Sequence, residues 1–120
     1  MTIRLKRVYD PKASGDGLRI LIDALWPRGI AREDEPFDAW LKEFAPSTEL
    51  RRWFGHEPAR WQEFRQRYFA ELDERPEAIE ALRKTIADAD GPVTFVFAAR
   101  DTEHNNAVAL RDYLEQRREP

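Results

Sequence analysis

The stretch VTFVFAARDTEHNNAVALRDYL, residues 93–114, decides how this chain folds. Its opening, VTFVFAA, is β-branched and aromatic, the composition of a buried strand. Its end carries Val108, Leu110 and Leu114 as the apolar contacts of an amphipathic helix. Seven polar residues, Arg100 to Asn106, stand between the two. Within them Asp101 or Thr102 can cap the helix, whose last turn would carry Arg117 and Arg118. A strand that hands over to a helix needs a partner strand, and LRILIDAL, residues 18–25, supplies one. That run is almost continuous in Leu and Ile, as in a central parallel strand buried on both faces. WPRG then stops it, because Pro27 cannot continue a ladder.

The remaining elements follow from these two. IRLKRVY opens the chain as a first strand, with Arg7 out of step with its alternation, as a bulge or a cation placed at the strand end would be. DPKASGDG reads as a loop. Four helical pieces separate the second and third strands. Phe37, Trp40, Leu41 and Phe44 recur at i, i+3, i+4 and i+7. Ser47 or Thr48 caps the second piece and Gly55 stops it. Pro58 opens the longest, with Trp61, Phe64, Tyr68 and Leu72 as its stripe. Pro76 opens the fourth, with Ile79, Leu82 and Ile86 on one face. The expected architecture is a single α/β domain over residues 1–120, with a small, mainly parallel sheet of about three strands and helices packed around it.

Composition narrows the function classes. The net charge is −3, so nucleic acid is an unlikely partner in the absence of clustered positive charge. The chain has no cysteine, which excludes disulfides, thiolate metal sites and cysteine nucleophiles. No apolar run approaches a membrane span, and the charged start MTIRLKRVYD is unlike a signal peptide, so the expected location is the cytoplasm. No motif indicates a cofactor. There is no phosphate-cradling glycine loop, no G-x-S-x-G and no H-E-x-x-H.

Parallel strands place their C-terminal ends on one edge of the sheet, where open α/β sheets hold ligands. The segments leaving that edge carry Asp23, Arg28, Arg100, Asp101 and His104, joined by Arg7 and Asn105. A helix N-terminus together with guanidinium groups favours an anion. Arg7, Arg28, Arg100 and Asn105 are therefore the candidate ligand-binding residues; Asp23, Asp101 and His104 are the candidates for acid–base work. For each residue taken singly, a structural Arg–Asp tie or a helix cap is the stronger reading; the cluster as a whole favours a pocket. His56, after Gly55, reads as a loop or cap residue, and its spacing from His104 matches no metal-ligand motif. Trp40 and Trp61 lie on apolar stripes and read as core, whereas Trp26 could line a pocket. RRWFGHEPARWQEFRQRY is basic and aromatic, but its cations alternate with an apolar stripe, as on a solvated helix face.

The segments KRVYD, LIDALWPRG, DAWLKEFAPSTELRRWFGH, FRQRYFAEL and AARDTEHNNAVAL, in this order, resemble the YeaO-like branch of the family called domain of unknown function 488. The resemblance covers nearly the whole chain. It implies a small soluble bacterial α/β protein whose signature lies in the WPRG loop and the ARD…HNNA segment. The chain departs from that pattern at Ala24, where Arg is frequent, at Asn106, where His is common, and at Arg32, where Lys is usual. The first departure removes a cation from the expected pocket and the second a candidate base. The resulting expectation is a polar, anion-binding pocket for a small phosphorylated or carboxylated ligand. The alternatives are a nucleic-acid-associated module using the Arg-rich helices and an interaction domain without chemistry.

Overall fold

A computed structural model describes residues 2–116. Four strands form one sheet: β1 (Ile3–Arg7), β2 (Leu18–Leu21), β3 (Ala39–Trp40) and β4 (Val93–Phe97). Their spatial order is β1-β4-β2-β3, and every pairing is parallel. The register aligns Ile3 and Leu18 with Val93 on either side of β4. All five residues of β4 are buried, which is why its sequence lacks alternation. The chain reaches β4 from β3 through α1 (Thr48–Phe54), α2 (Trp61–Asp73) and α3 (Pro76–Asp88); α4 (Asn106–Gln116) follows β4.

The two faces of the sheet are covered differently. Ile20, Ile22, Phe95 and Phe97 join Phe64, Tyr68, Leu72, Leu82, Leu110 and Leu114 from the helices in the main core. On the opposite face Val8, Leu21, Phe37 and Val96 pack with Trp26 and Trp40, so the long loop after β2 does the work of a helical layer there. At the N-terminal edge of the same sheet Arg19 is 1% exposed. It donates to Asp16 Oδ2 at 2.6 Å and to the Pro36 carbonyl at 2.7 Å, and Lys6 reaches the same carboxylate. Gly17 is required beside this network. Its φ is +63°, and a Cβ would lie 2.0 Å from the Pro92 carbonyl oxygen.

Three expectations need correction. Residues 37–44 are not a helix. The Asp38 N–H donates to the Arg19 carbonyl and the Leu41 N–H to that of Leu21, which draws the segment into the sheet as β3, followed by a 3-10 turn at Lys42–Phe44. The helical spacing is met by placing Phe37 and Trp40 on one face of the sheet and Leu41 and Phe44 on the other. The helix expected from Pro58 begins with a 3-10 turn, Pro58–Arg60, and α2 proper starts at Trp61. The last helix starts at Asn106, later than expected. Asp101 Oδ1 accepts the N–H groups of Glu103 and His104 and closes a separate turn. Asn105 is the cap, its Oδ1 accepting the Val108 N–H at 3.0 Å. His104 therefore lies outside the first helical turn. Arg117 and Arg118, assigned on sequence to the end of this helix, lie outside the described residues. Other boundaries agree with the sequence: Ser47 caps α1 through Leu50 N–H, and Gly55 ends it in the left-handed region.

Candidate anion cleft

β1 keeps pace with β4 as far as Phe97, whose carbonyl also accepts the Val8 N–H, whereas β2 ends opposite Val96; beyond these points side chains take over the ladder. Asp23 Oδ2 accepts the Ala98 N–H at 2.9 Å. From the other side Arg7 donates through Nε to the Ala99 carbonyl and through Nη2 to that of Ala98, both at 2.9 Å. The strand-end cation that broke the alternation of β1 thus closes the end of β4. With the ladder ended by side chains, the loops after β2 and β4 part, and a cleft of about 690 Å³ opens beyond the strand ends.

Arg7, Asp23, Arg28, Arg100 and Asn105 all line this cleft, although they come from opposite ends of the chain. Asp101 and His104 do not line it. Their side chains meet each other, His104 Nδ1 lying 2.9 Å from Asp101 Oδ2, and the imidazole stands edge-on to Trp61 at 5.3 Å. The Asp101 carboxyl is held below its usual range, first by the Glu103 N–H, then by the His104 side chain. Asn105 is 3% exposed and already occupied, since its Nδ2 donates to the Asp101 carbonyl while its Oδ1 caps α4.

The structure adds lining residues that the sequence reading assigned elsewhere. Arg51 and Arg52, in the last turn of α1, and His56 reach the cleft. His56 has φ +57°, the positive-φ residue other than glycine among those described, and it follows Gly55 at +54°. Two consecutive left-handed residues turn the chain sharply at the cleft rim, a strained arrangement for a side chain with a Cβ. These residues were legible only as a helix end; nothing local in the sequence tells that α1 docks against the β2 and β4 loops.

The charge balance is one-sided. Five arginines and one histidine line the cleft against a single carboxylate, Asp23. Among the described residues the guanidinium groups of Arg28, Arg52 and Arg100 take part in no hydrogen bond or ion pair, and Arg51 Nε is buried without a partner. Burial raises the Asp23 pKa, opposed by the Ala98 N–H, the Asn106 side chain and the charges of Arg51 and His56. Of the positions that depart from the family pattern, Ala24 and Asn106 line the cleft. Arg32 instead stacks on Trp26 at 4.2 Å. The remaining cations of the basic, aromatic stretch engage neighbours. Arg67 pairs with Glu63, Arg65 with Asp112, and Arg60 and Arg67 both lie over Trp53. Among the described residues no group of three or more His, Asp and Glu side chains is placed to hold a metal ion. No helix there is long and apolar enough to cross a membrane.

Comparison with known proteins fits this arrangement to a lineage. The family described as "Inactive DUF488-N3 subclade" matches residues 2–120. The chain belongs to that family. It is 45% identical over 116 residues to the protein named Uncharacterized protein YeaO of Escherichia coli K12, covering 95% of this chain and 97% of that protein. Proteins of Mycobacterium bovis and of Mycobacterium tuberculosis H37Rv, also named as uncharacterized, are each 37% identical over 115 residues, covering 96% of this chain and 95% of theirs. No solved structure gives a significant match. The family is shared by sequence along the whole chain, so both signature segments of the YeaO-like pattern fall within the matched region.

Proposed function

We propose that the cleft binds a small phosphorylated or carboxylated anion and that the protein acts as a binding module without turning the ligand over. The observation that carries this reading is the excess of cations: five arginines share one cleft with one carboxylate, and the guanidinium groups of Arg28, Arg52 and Arg100 have no hydrogen-bond or ionic partner among the described residues. Unpaired guanidinium groups gathered at one place repel each other, and an anion relieves that repulsion while taking bidentate hydrogen bonds. The start of α4, at Asn105 and Asn106, adds the positive end of a helix dipole. Asp23, whose carboxyl also receives the Ala98 N–H, acts as a pin between the ends of β2 and β4 and lines the cleft. The absence of turnover is supported by the family's description as inactive and by the position of the Asp101–His104 pair away from the cleft.

Thermal melts of the full chain with phosphate, pyrophosphate and citrate test the proposal. The expected result is a rise in melting temperature that grows with ligand concentration and shrinks with added salt. Arg28→Ala and Arg100→Ala should each reduce the rise. A melting temperature that ignores every anion in the series would refute the reading.

A further inference from the structure

The residues lining the cleft differ in exposure, and that difference says more about the ligand than its charge does. At the floor Phe54 and Phe64 stack at 4.4 Å and are 5% and 2% exposed. The cations Arg28, Arg52 and Arg100 are exposed and stand at the rim. Two large hydrophobic side chains are exposed among the described residues, Tyr9 at 42% and Leu25 at 69%, and both line this same cleft. A bare inorganic anion would use the rim and leave the apolar walls wet. Apolar walls in a pocket indicate a ligand with an apolar body, and about 690 Å³ lies within the range of small-molecule sites, about 300–1,000 Å³. Between these in exposure stand the half-buried Asp23 carboxyl, whose Oδ2 takes the Ala98 N–H, and the half-buried Asn106 amide, which bonds the same carboxyl, so each keeps only part of its hydrogen-bonding capacity for a ligand. A carboxylate has about four lone-pair sites, and an amide both donates and accepts. The pair therefore suits the edge of a flat ring that carries N–H and acceptor atoms side by side.

We infer that the ligand is a nucleoside phosphate taken ring first, with its base against the Phe54–Asp23–Asn106 region and its phosphate among the rim arginines. This rests on the anion-binding reading above and adds the organic part of the ligand to it. Tyr9 and Leu25, at the mouth, would cover the sugar. The Tyr9 hydroxyl donates to the Arg28 carbonyl at 2.9 Å, and Arg7 stacks on its ring at 4.9 Å, so the aromatic side of the mouth is held in place beside the cations.

Calorimetric titration of the full chain tests this with four kinds of probe: the common nucleoside 5′-monophosphates, the corresponding nucleosides, ribose 5-phosphate and inorganic phosphate. At least one monophosphate should bind ~10-fold or more tightly than ribose 5-phosphate, its own nucleoside and inorganic phosphate. Arg100→Ala should weaken the monophosphate and leave the nucleoside unchanged. Asp23→Asn, provided circular dichroism shows it folded, should alter the order of preference among bases; the titrations of the parent chain decide the matter if it does not fold. Ribose 5-phosphate or inorganic phosphate binding as tightly as every monophosphate would overturn the inference and leave the anion site standing. Nucleosides binding as tightly as their monophosphates, or no phosphate-bearing probe binding at all, would overturn both.

Discussion

The two edges of the sheet use the same chemistry to opposite ends. At the N-terminal edge the buried cation Arg19 is tied to Asp16, Lys6 joins the same carboxylate, and the Asp16 carbonyl accepts the Thr94 hydroxyl at 2.7 Å. Asp16 is held down to about 2, first by the Ala13 N–H, with Lys6 and Arg19 adding to it against the effect of burial. At the C-terminal edge Asp23 is pushed the other way by burial, and Arg28, Arg52 and Arg100 have no ionic partner among the described residues. A paired ionic cluster at one end locks β2, β4 and the loop before β2. At the other end Arg28, Arg52 and Arg100 have no such tie among the described residues, and the proposed ligand site rests on that. Charge content alone does not distinguish a strut from a site; pairing does.

The comparison is most sharply broken at the paired edge. Asp16→Ala leaves the Arg19 guanidinium buried, with the Pro36 carbonyl as its remaining hydrogen-bond acceptor and Nη2 already without one. Removing one partner of such a pair should destabilise the fold by about 3–5 kcal/mol, read from urea unfolding. Asp16→Ala combined with Arg19→Met should recover a good part of that loss, because no buried charge then remains.

The two carboxylates should also give acid profiles of opposite sign. The folded-state pKa of Asp16 lies below its ordinary 3.8, so its contribution is present above that value and is lost as pH falls towards about 2. The folded-state pKa of Asp23 is raised, so its contribution is full below 3.8 and is lost as pH rises through the raised value. Unfolding midpoints measured from pH 2 to pH 7 should show a shallower acid slope in Asp16→Asn, with the part due to Asp101 remaining. Asp23→Asn should lose the decline above pH 4.

The smallest stability effect is expected at the unpaired edge. Arg28→Ala and Arg100→Ala should each change stability by no more than about 0.5 kcal/mol, or raise it, because neither guanidinium is tied to an acid. A loss of several kcal/mol in either variant would show a structural tie and erase the contrast between the edges.

Much of the fold was legible because it is written in local pattern. The buried runs at Leu18–Leu21 and Val93–Phe97, the Ser47 cap and the Gly55 stop each speak for themselves within a few residues. The misreadings came where one pattern fits two structures. The spacing of Phe37, Trp40, Leu41 and Phe44 serves a helix or a strand with both faces covered. Asp101, Thr102 and Asn105 are all good helix caps; Asp101 is taken up by the separate turn it closes, and Asn105 caps α4. The cleft was legible in the parts that leave the strand ends, Arg7, Asp23, Arg28, Arg100 and Asn105, because parallel strands fix which edge they share. Arg51, Arg52 and His56 arrive by docking of α1, a long-range event with no local signature. Arg19 was equally hidden, since a lone cation in LRIL looks like an outward-facing residue until Asp16 is folded over it.

The contrast between the edges is tested most directly by following arginine Nε–H signals in a ¹⁵N-labelled full chain as inorganic phosphate is added at constant ionic strength. The account predicts saturable shifts at Arg28, Arg52 and Arg100 while Arg19 stays fixed. Shifts that never saturate and are reproduced by chloride, or no shift at the three rim arginines, would contradict it.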